Sequence, residues 1–237
     1  MHVSTGRSAE RLLLAGGRVM GVATDGETVR ARHAVLVSVT PTALYGELLP
    51  RDAPVPPAIR DEALRYRYGR AAMQLHVALS APLGWRDTRL AGVPLVHLSD
   101  GSASTAIACA EAEAGLLPRR PTLVVGRQYV LDPSRVPDGA ATLWIQLQEL
   151  LAWDAVTPSD LRAHNPNAVH GDPYGGSAEL DQALLWRPLP GAARHATPVP
   201  GLWHIGASTH PGPGLGAGSG HLVAQHLSRA RRRNRRG

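Results

Sequence analysis

Between residues 206 and 220 the chain reads Gly206-Ala207-Ser208-Thr209-His210-Pro211-Gly212-Pro213-Gly214-Leu215-Gly216-Ala217-Gly218-Ser219-Gly220, six glycines in fifteen positions. No other segment constrains the fold as strongly. Leu202-Trp203-His204-Ile205 precede it and Leu222-Val223-Ala224 follow it, so both ends are anchored in apolar structure and a free surface loop is disfavoured. A short strand over 201–205, a glycine and proline loop over 207–217 and a helix over 218–227 are predicted. That layout lets a backbone approach a ligand closely, because glycine takes side chains out of the contact surface and the first amides of a helix offer positive potential to an anion.

Three chemistries that use such loops can be tested against the letters. Gly212, Gly214 and Ala217 fit a dinucleotide fingerprint, but that motif needs an acidic residue about 20 positions further on, and the last acidic residue of the chain is Asp181. A nucleophile elbow fails because Ser219 has Ala217 and His221 where glycines are required. A P-loop fails for want of any lysine. The loop is therefore read as closing a cofactor site rather than opening one.

Upstream, 11–15 and 18–23 flank Gly16-Gly17, and 27–32 follows Asp25-Gly26, which predicts a three-stranded meander with tight turns. The apolar run within 33–39 predicts a strand buried on both faces, stopped at Thr40-Pro41. From 42 to 65 the pattern is helical, interrupted by Pro50, Pro54, Pro56 and Pro57. Strands at 72–78, 122–130 and 142–149 predict an antiparallel sheet, with the Asp132-Pro133-Ser134-Arg135 turn between the last two and a helix over 104–116. A helix start is read at Thr157-Pro158-Ser159-Asp160, and 164–176 is too rich in turn formers to be a core element.

Composition narrows the function classes. The single cysteine, Cys109, excludes a disulfide framework and a multi-cysteine metal site. No stretch approaches the roughly 18 apolar residues of a membrane span, and no signal peptide pattern opens the chain; a cytoplasmic location is expected, with peripheral membrane contact left open. All 25 cations are arginine, and Arg229, Arg231, Arg232, Arg233, Arg235 and Arg236 crowd the last nine residues. Without those six, the remaining arginines equal the 19 acids, so the body is neutral. The tail, 229–237, is expected to be disordered and solvated, and no nucleic acid partner is expected because no aromatic platform accompanies the charge. His164 and His170 lack carboxylates at ligand spacing, so no metal is expected.

The glycine loop with its flanks resembles the C-terminal flavin motif of the phytoene-desaturase-like FAD-dependent oxidoreductases, in particular the branch named for a pyridine nucleotide-disulfide oxidoreductase domain. Glu27 to Pro41 is similar to the family's strand pair, Asp132 to Arg135 to its central hairpin loop, and Asn165-Pro166-Asn167 with Gly171-Asp172-Pro173-Tyr174-Gly175-Gly176 to its substrate-side loop. The resemblance implies an α/β fold: the C-terminal portion of a Rossmann-like FAD/NAD(P)-binding flavoprotein carrying an α+β, antiparallel-sheet substrate domain. Its expected divisions are 1–48 and 199–228 for the FAD-binding part and 49–198 for the substrate domain. It further implies FAD as cofactor, with Gly206, Ala207, Ser208, Gly212, Gly214, Gly216, Gly218, Ser219 and Gly220 binding it. His210, Asn165, Asp172 and Tyr174 are implied on the side of a small apolar or amine-like substrate, which gives hydride to the flavin; no catalytic base is assigned.

Two departures accompany the resemblance. The N-terminal βαβ half that holds the ADP end of FAD is absent, and the stretch between Glu149 and Thr157 is shorter than the family's helical insertion. The chain is then expected to be a fragment or truncated reading of an FAD-dependent dehydrogenase, or one that works with a partner supplying the missing half; the alternative is a non-catalytic remnant or subunit that cannot bind FAD without that half.

Overall fold

A computed structural model describes residues 3–148, 158–192, 194–214 and 217–234. The expectations for Glu149, Trp153, Thr157 and Gly216 lie outside these. The described chain is mixed α/β and forms two compact units, one from residues up to Gly69 together with those from Tyr174 onward, the other Arg70–Pro173.

In the first unit β1 (Ala9–Ala15), β2 (Arg18–Thr24) and β3 (Thr28–Arg30) form the expected antiparallel meander. Gly16 and Gly17 both have positive φ, 56° and 72°, as a two-residue hairpin whose twist matches its strands demands. Leu12 and Val19 point into the core. The next strand, β4 (Val35–Val37), pairs in parallel with β9 (Leu202–His204), Val35 opposite Leu202 and Val37 opposite His204. Val37, Leu202 and His204 are buried, but Leu36 is 43% exposed. The expectation of a strand buried on both faces is thus corrected. Leu36 shares its face with Trp203, whose ring is met by His226 at 5.0 Å, and Leu36 itself keeps an open side.

A six-residue π-helical turn, Ala43–Leu48, and α1 (Pro57–Leu64) replace the interrupted helical pattern. Pro57 opens α1 where a missing N–H costs nothing. Leu44, Leu48, Ile59, Ala63 and Tyr66 join Leu189 and Val199 in one core. Segments 49–69 and 174–198 therefore belong with the first unit, and the boundaries expected at 48/49 and 198/199 fall instead at 69/70 and 173/174. The shared core around Tyr66 and Leu189 is the physical reason.

The second unit is built on an antiparallel sheet ordered β5 (Ala72–Leu79), β8 (Ala141–Gln148), β7 (Leu123–Gly126), β6 (Leu95–Leu98), with α2 (Ser102–Glu113) between β6 and β7 in sequence and α3 (Pro158–His164) after β8. The strand expected over 122–130 stops at Gly126 because its partner β6 starts at Leu95, opposite Gly126. Strand β6 itself was not anticipated: four residues are too few for a period to show. Register puts Leu75, Ile145, Val125 and Val96 on one face, flanked by Met73, Leu147, Leu123 and Leu98. That face is wholly aliphatic, and it is open toward both edges, with Leu75 40% and Leu98 39% exposed. The opposite face carries Gln74, His76, Trp144 and His97.

The final element, α4 (Gly218–Asn234), runs well past the expected end at 227. Residues 229–234 are helical rather than disordered, since arginine and alanine are good helix formers and cations at a helix C-terminus offset the macrodipole. No helix among the described residues is long and apolar enough to cross a membrane.

Candidate functional site

The parallel strands β4 and β9 bring Ser38 and Gly206 side by side at their C-terminal ends. A Cβ on Gly206 would lie 3.2 Å from Ser38 Cβ, and its φ of +95° is one that L side chains rarely adopt. Close approach and backbone conformation both call for glycine here. The Gly206 carbonyl then accepts from Thr209 twice, from its N–H at 3.1 Å and from Oγ1 at 2.9 Å. The Gly206 N–H donates to Ser219 Oγ at 2.9 Å, which ties the first turn of α4 to the end of β9. Gly212 N–H closes a further turn on the Thr209 carbonyl at 2.7 Å.

Two contacts hold this loop against the segment from Tyr174 to Ser177. Ser208 Oγ donates to the Gly175 carbonyl at 2.8 Å, as does the hydroxyl of Tyr66. The second contact is Arg187, only 2% exposed. Its Nε donates to the Ala207 carbonyl at 2.9 Å, Nη1 to Ser177 at 3.1 Å and Nη2 to Tyr174 at 2.9 Å. A guanidinium is always charged and presents five donors in a fixed fork, so one side chain spans both loops.

Ser208, Thr209 and Ser219 are buried, and their hydroxyls are spent within the fold. Open space lies elsewhere: a Cβ added at Gly212, Gly214 or Gly220 would meet nothing within 4 Å. Gly218 is different, since its Cβ would come 3.0 Å from the Pro211 ring. Gly218, Ser219 and Gly220 occupy the first turn of a 17-residue helix, where amides have no acceptor within the helix and the dipole is positive.

The residues expected on the substrate side are divided between the two units. Tyr174, 44% exposed, stands beside the glycine loop through the Arg187 bridge. His210 belongs to the loop itself, and its Nδ1 is buried without a hydrogen-bond partner. Asn165 and Asp172 lie in the second unit; Asn165 Oδ1 accepts from the Asn167 N–H at 3.1 Å, an Asx turn, and Asp172 is buried.

His204 escaped the sequence reading as a site residue. Its Nε2–H donates to the Val39 carbonyl at 2.6 Å, and its Nδ1 is buried without a partner. Burial pushes the imidazole from 6.5 down to about 4, against a smaller opposing effect of the Val39 bond, while neighbouring His195 adds to the depression. The unfolded chain thus takes a proton near pH 6.5 that the folded protein refuses until about pH 4. Stability contributed by neutral His204 is complete above pH 6.5 and is lost as the pH falls through this window, by about 3 kcal/mol in full. Urea titrations of wild type and His204→Gln, which keeps an N–H donor, should diverge in pH dependence between 6.5 and 4. Parallel pH profiles of the two proteins would contradict this account.

No family model matches the chain. It is 34% identical over 88 residues to pyridine nucleotide-disulfide oxidoreductase domain-containing protein 2 of Mus musculus, and 33% identical over 88 residues to the Rattus norvegicus protein of the same name. Each match covers 34% of this chain and 14% of the relative. Among solved structures, an oxidoreductase from Methanosarcina mazei superposes with a TM-score of 0.55 at 15% identity, covering 93% of this chain and 49% of that one. The likeness of fold therefore extends over nearly all of the chain, while the chain spans about half of that neighbour.

Proposed function

We propose that this chain is the flavin-facing and substrate-facing part of an FAD-dependent oxidoreductase of the phytoene-dehydrogenase-like class. One observation carries the reading: a strand ends in a tightly hydrogen-bonded glycine loop that leads into α4, and Gly212 and Gly214 of the loop and Gly220 of the helix's first turn all face open space. The fold shared with a named oxidoreductase and the similarity to proteins named for an oxidoreductase domain support it. The residues fit one end of the cofactor. Gly212, Gly214 and Gly220 leave room for it, and the amides of Gly218, Ser219 and Gly220 would donate to its polar edge.

When bound, FAD supplies the hydride acceptor. The positive end of α4 favours negative charge beside it, and a preorganised dipole of this kind needs no rearrangement as that charge develops. Thr209, Ser208 and Arg187 hold the loop in shape. No G-x-G-x-x-G motif occurs in this sequence, so the residues named here account for one end of FAD and not for its ADP end.

The test uses the purified chain titrated with FAD, followed by flavin fluorescence and visible absorbance. Saturable binding is expected. Gly220→Leu adds a strong helix former at a position with free space, so it should leave thermal stability intact while weakening FAD binding at least tenfold. Unchanged FAD affinity in Gly220→Leu would remove the loop from the site. No flavin binding by the wild type would favour the competing reading, a remnant or subunit that cannot hold FAD alone.

A further inference from the structure

A cavity of about 500 Å³ opens on the polar face of the second unit's sheet. Register sets His76 opposite Trp144 and Ala78 opposite Thr142 along its wall. Gln128 and Arg135 enter from the short helical turns Gln128–Val130 and Pro133–Arg135. Trp144 forms the aromatic side. Its Nε1 donates to Gln74 Oε1 on β5 at 3.1 Å, and its Cε3 edge would lie 2.6 Å from a Cβ on Gly126 of β7. The indole therefore reaches across the sheet from β7 to β5, and glycine at 126 is what leaves it room.

Arg135 supplies the charge, and it is the one formally charged group among the described lining residues. Its Nε donates to Asp132 Oδ2 at 3.2 Å, while Asp132 Oδ1 accepts from the Ser134 hydroxyl at 2.6 Å and the Ser134 N–H at 3.3 Å. The Ser134 hydroxyl is the main cause that holds the Asp132 carboxyl below its ordinary range, so this anchor is ionised at neutral pH. Among the described residues, nothing accepts from Arg135 Nη1 or Nη2, and the side-chain polar atoms of His76, Gln128 and Thr142 make no hydrogen bond. The contrast is with Ser208, Thr209 and Ser219 in the glycine loop, whose hydroxyls are spent within the fold.

We infer that this cavity binds a small aromatic carboxylate. A guanidinium whose Nε is pinned to Asp132 keeps a fixed orientation, and its two terminal amines present the parallel N–H pair that a carboxylate accepts. The Gln128 amide and the Thr142 hydroxyl supply further donors beside it. An aromatic body stacks against Trp144, with Ala78 completing the apolar contact. The volume falls within the range of about 300–1,000 Å³ typical of small-molecule sites. A cation would meet Arg135, and a bare inorganic anion would leave Trp144 uncovered. Every lining residue belongs to the second unit, so the inference stands apart from the flavin reading.

Isothermal titration calorimetry of the full chain, without flavin, tests this with 2-naphthoate as the probe. A Kd at or below about 1 mM is expected. The neutral 2-naphthamide keeps the rings and loses the charge, so it should bind at least about tenfold more weakly. Arg135→Gln should weaken naphthoate binding by about ten- to a hundredfold. Arg135 is exposed, so the circular dichroism spectrum of that variant should match the wild type. Absence of naphthoate binding, equal affinity for the acid and the amide, or undiminished binding by Arg135→Gln would each overturn the inference. Tighter binding of inorganic phosphate than of naphthoate would overturn it in favour of a site for a compact anion.

Discussion

Arg187→Met is expected to lower the unfolding free energy of the first unit by about 3 kcal/mol, because a hydrogen bond to a charged group contributes about 1.5–3 kcal/mol and buried acceptors left unpaired add a penalty of their own. The guanidinium is 2% exposed and supplies donors to the carbonyls of Ala207, Tyr174 and Ser177. Methionine fills much of the aliphatic volume but offers no donor, so those carbonyls stay buried and unsatisfied, at about 1–3 kcal/mol each before relaxation. Arg187→Lys keeps the charge on a single nitrogen that cannot reach both loops, and should fall between the two. Urea unfolding followed by circular dichroism gives the free energies, and hydrogen exchange at 206–212 should rise in the methionine variant as the glycine loop loses its tie. A loss below about 1 kcal/mol, the scale of one ordinary hydrogen bond, would show that Arg187 is not the clamp described above.

Gly176→Ala should cost a similar amount, about 3–4 kcal/mol, through overpacking combined with backbone strain. A Cβ at this position would fall inside the van der Waals surface of the Tyr66 hydroxyl and ring, and φ is +138°. Tyr66 cannot easily move away. It is 6% exposed in the core of the first unit, and its hydroxyl donates to the Gly175 carbonyl at 2.8 Å. In a Tyr66→Ala background the steric part disappears, so adding Gly176→Ala should then cost only the strain, about 1 kcal/mol. A double-mutant cycle measured by thermal or urea unfolding reads this difference as a coupling. Additive losses would show that the clash is absorbed elsewhere.

Much of the architecture was legible because it is written in short-range patterns. Gly16-Gly17 announced its hairpin, the alternation at 72–78 its strand, and the apolar flanks of 206–220 the strand and helix around the loop. Where the reading went astray, the missing information was tertiary. Leu36 has the letters of a doubly buried strand residue, yet only one face of the β4–β9 pair is fully covered. The expected domain boundary followed the family resemblance, whereas the core around Tyr66 and Leu189 draws both flanking segments into the first unit. The arginine run resembled a solvated tail by charge alone, although arginine is a good helix former and the helix continues into the run as far as Asn234.

At the site the division is sharper. The sequence by itself determined where the backbone is left bare of side chains, because glycine preference depends on local φ and on the absence of a side chain, both properties of a few consecutive residues. Only the tertiary structure decided which groups keep that loop in shape and which remain available. Arg187 reaches Ala207 across 20 residues, Ser208 reaches Gly175 across 33, and His204 reaches the Val39 carbonyl across 165. Arg187 is one of 25 arginines, and nothing local marks it, any more than Arg127, as buried. Its role arises from the packing that removes it from water, and packing between distant segments leaves no trace in the spacing of neighbouring letters.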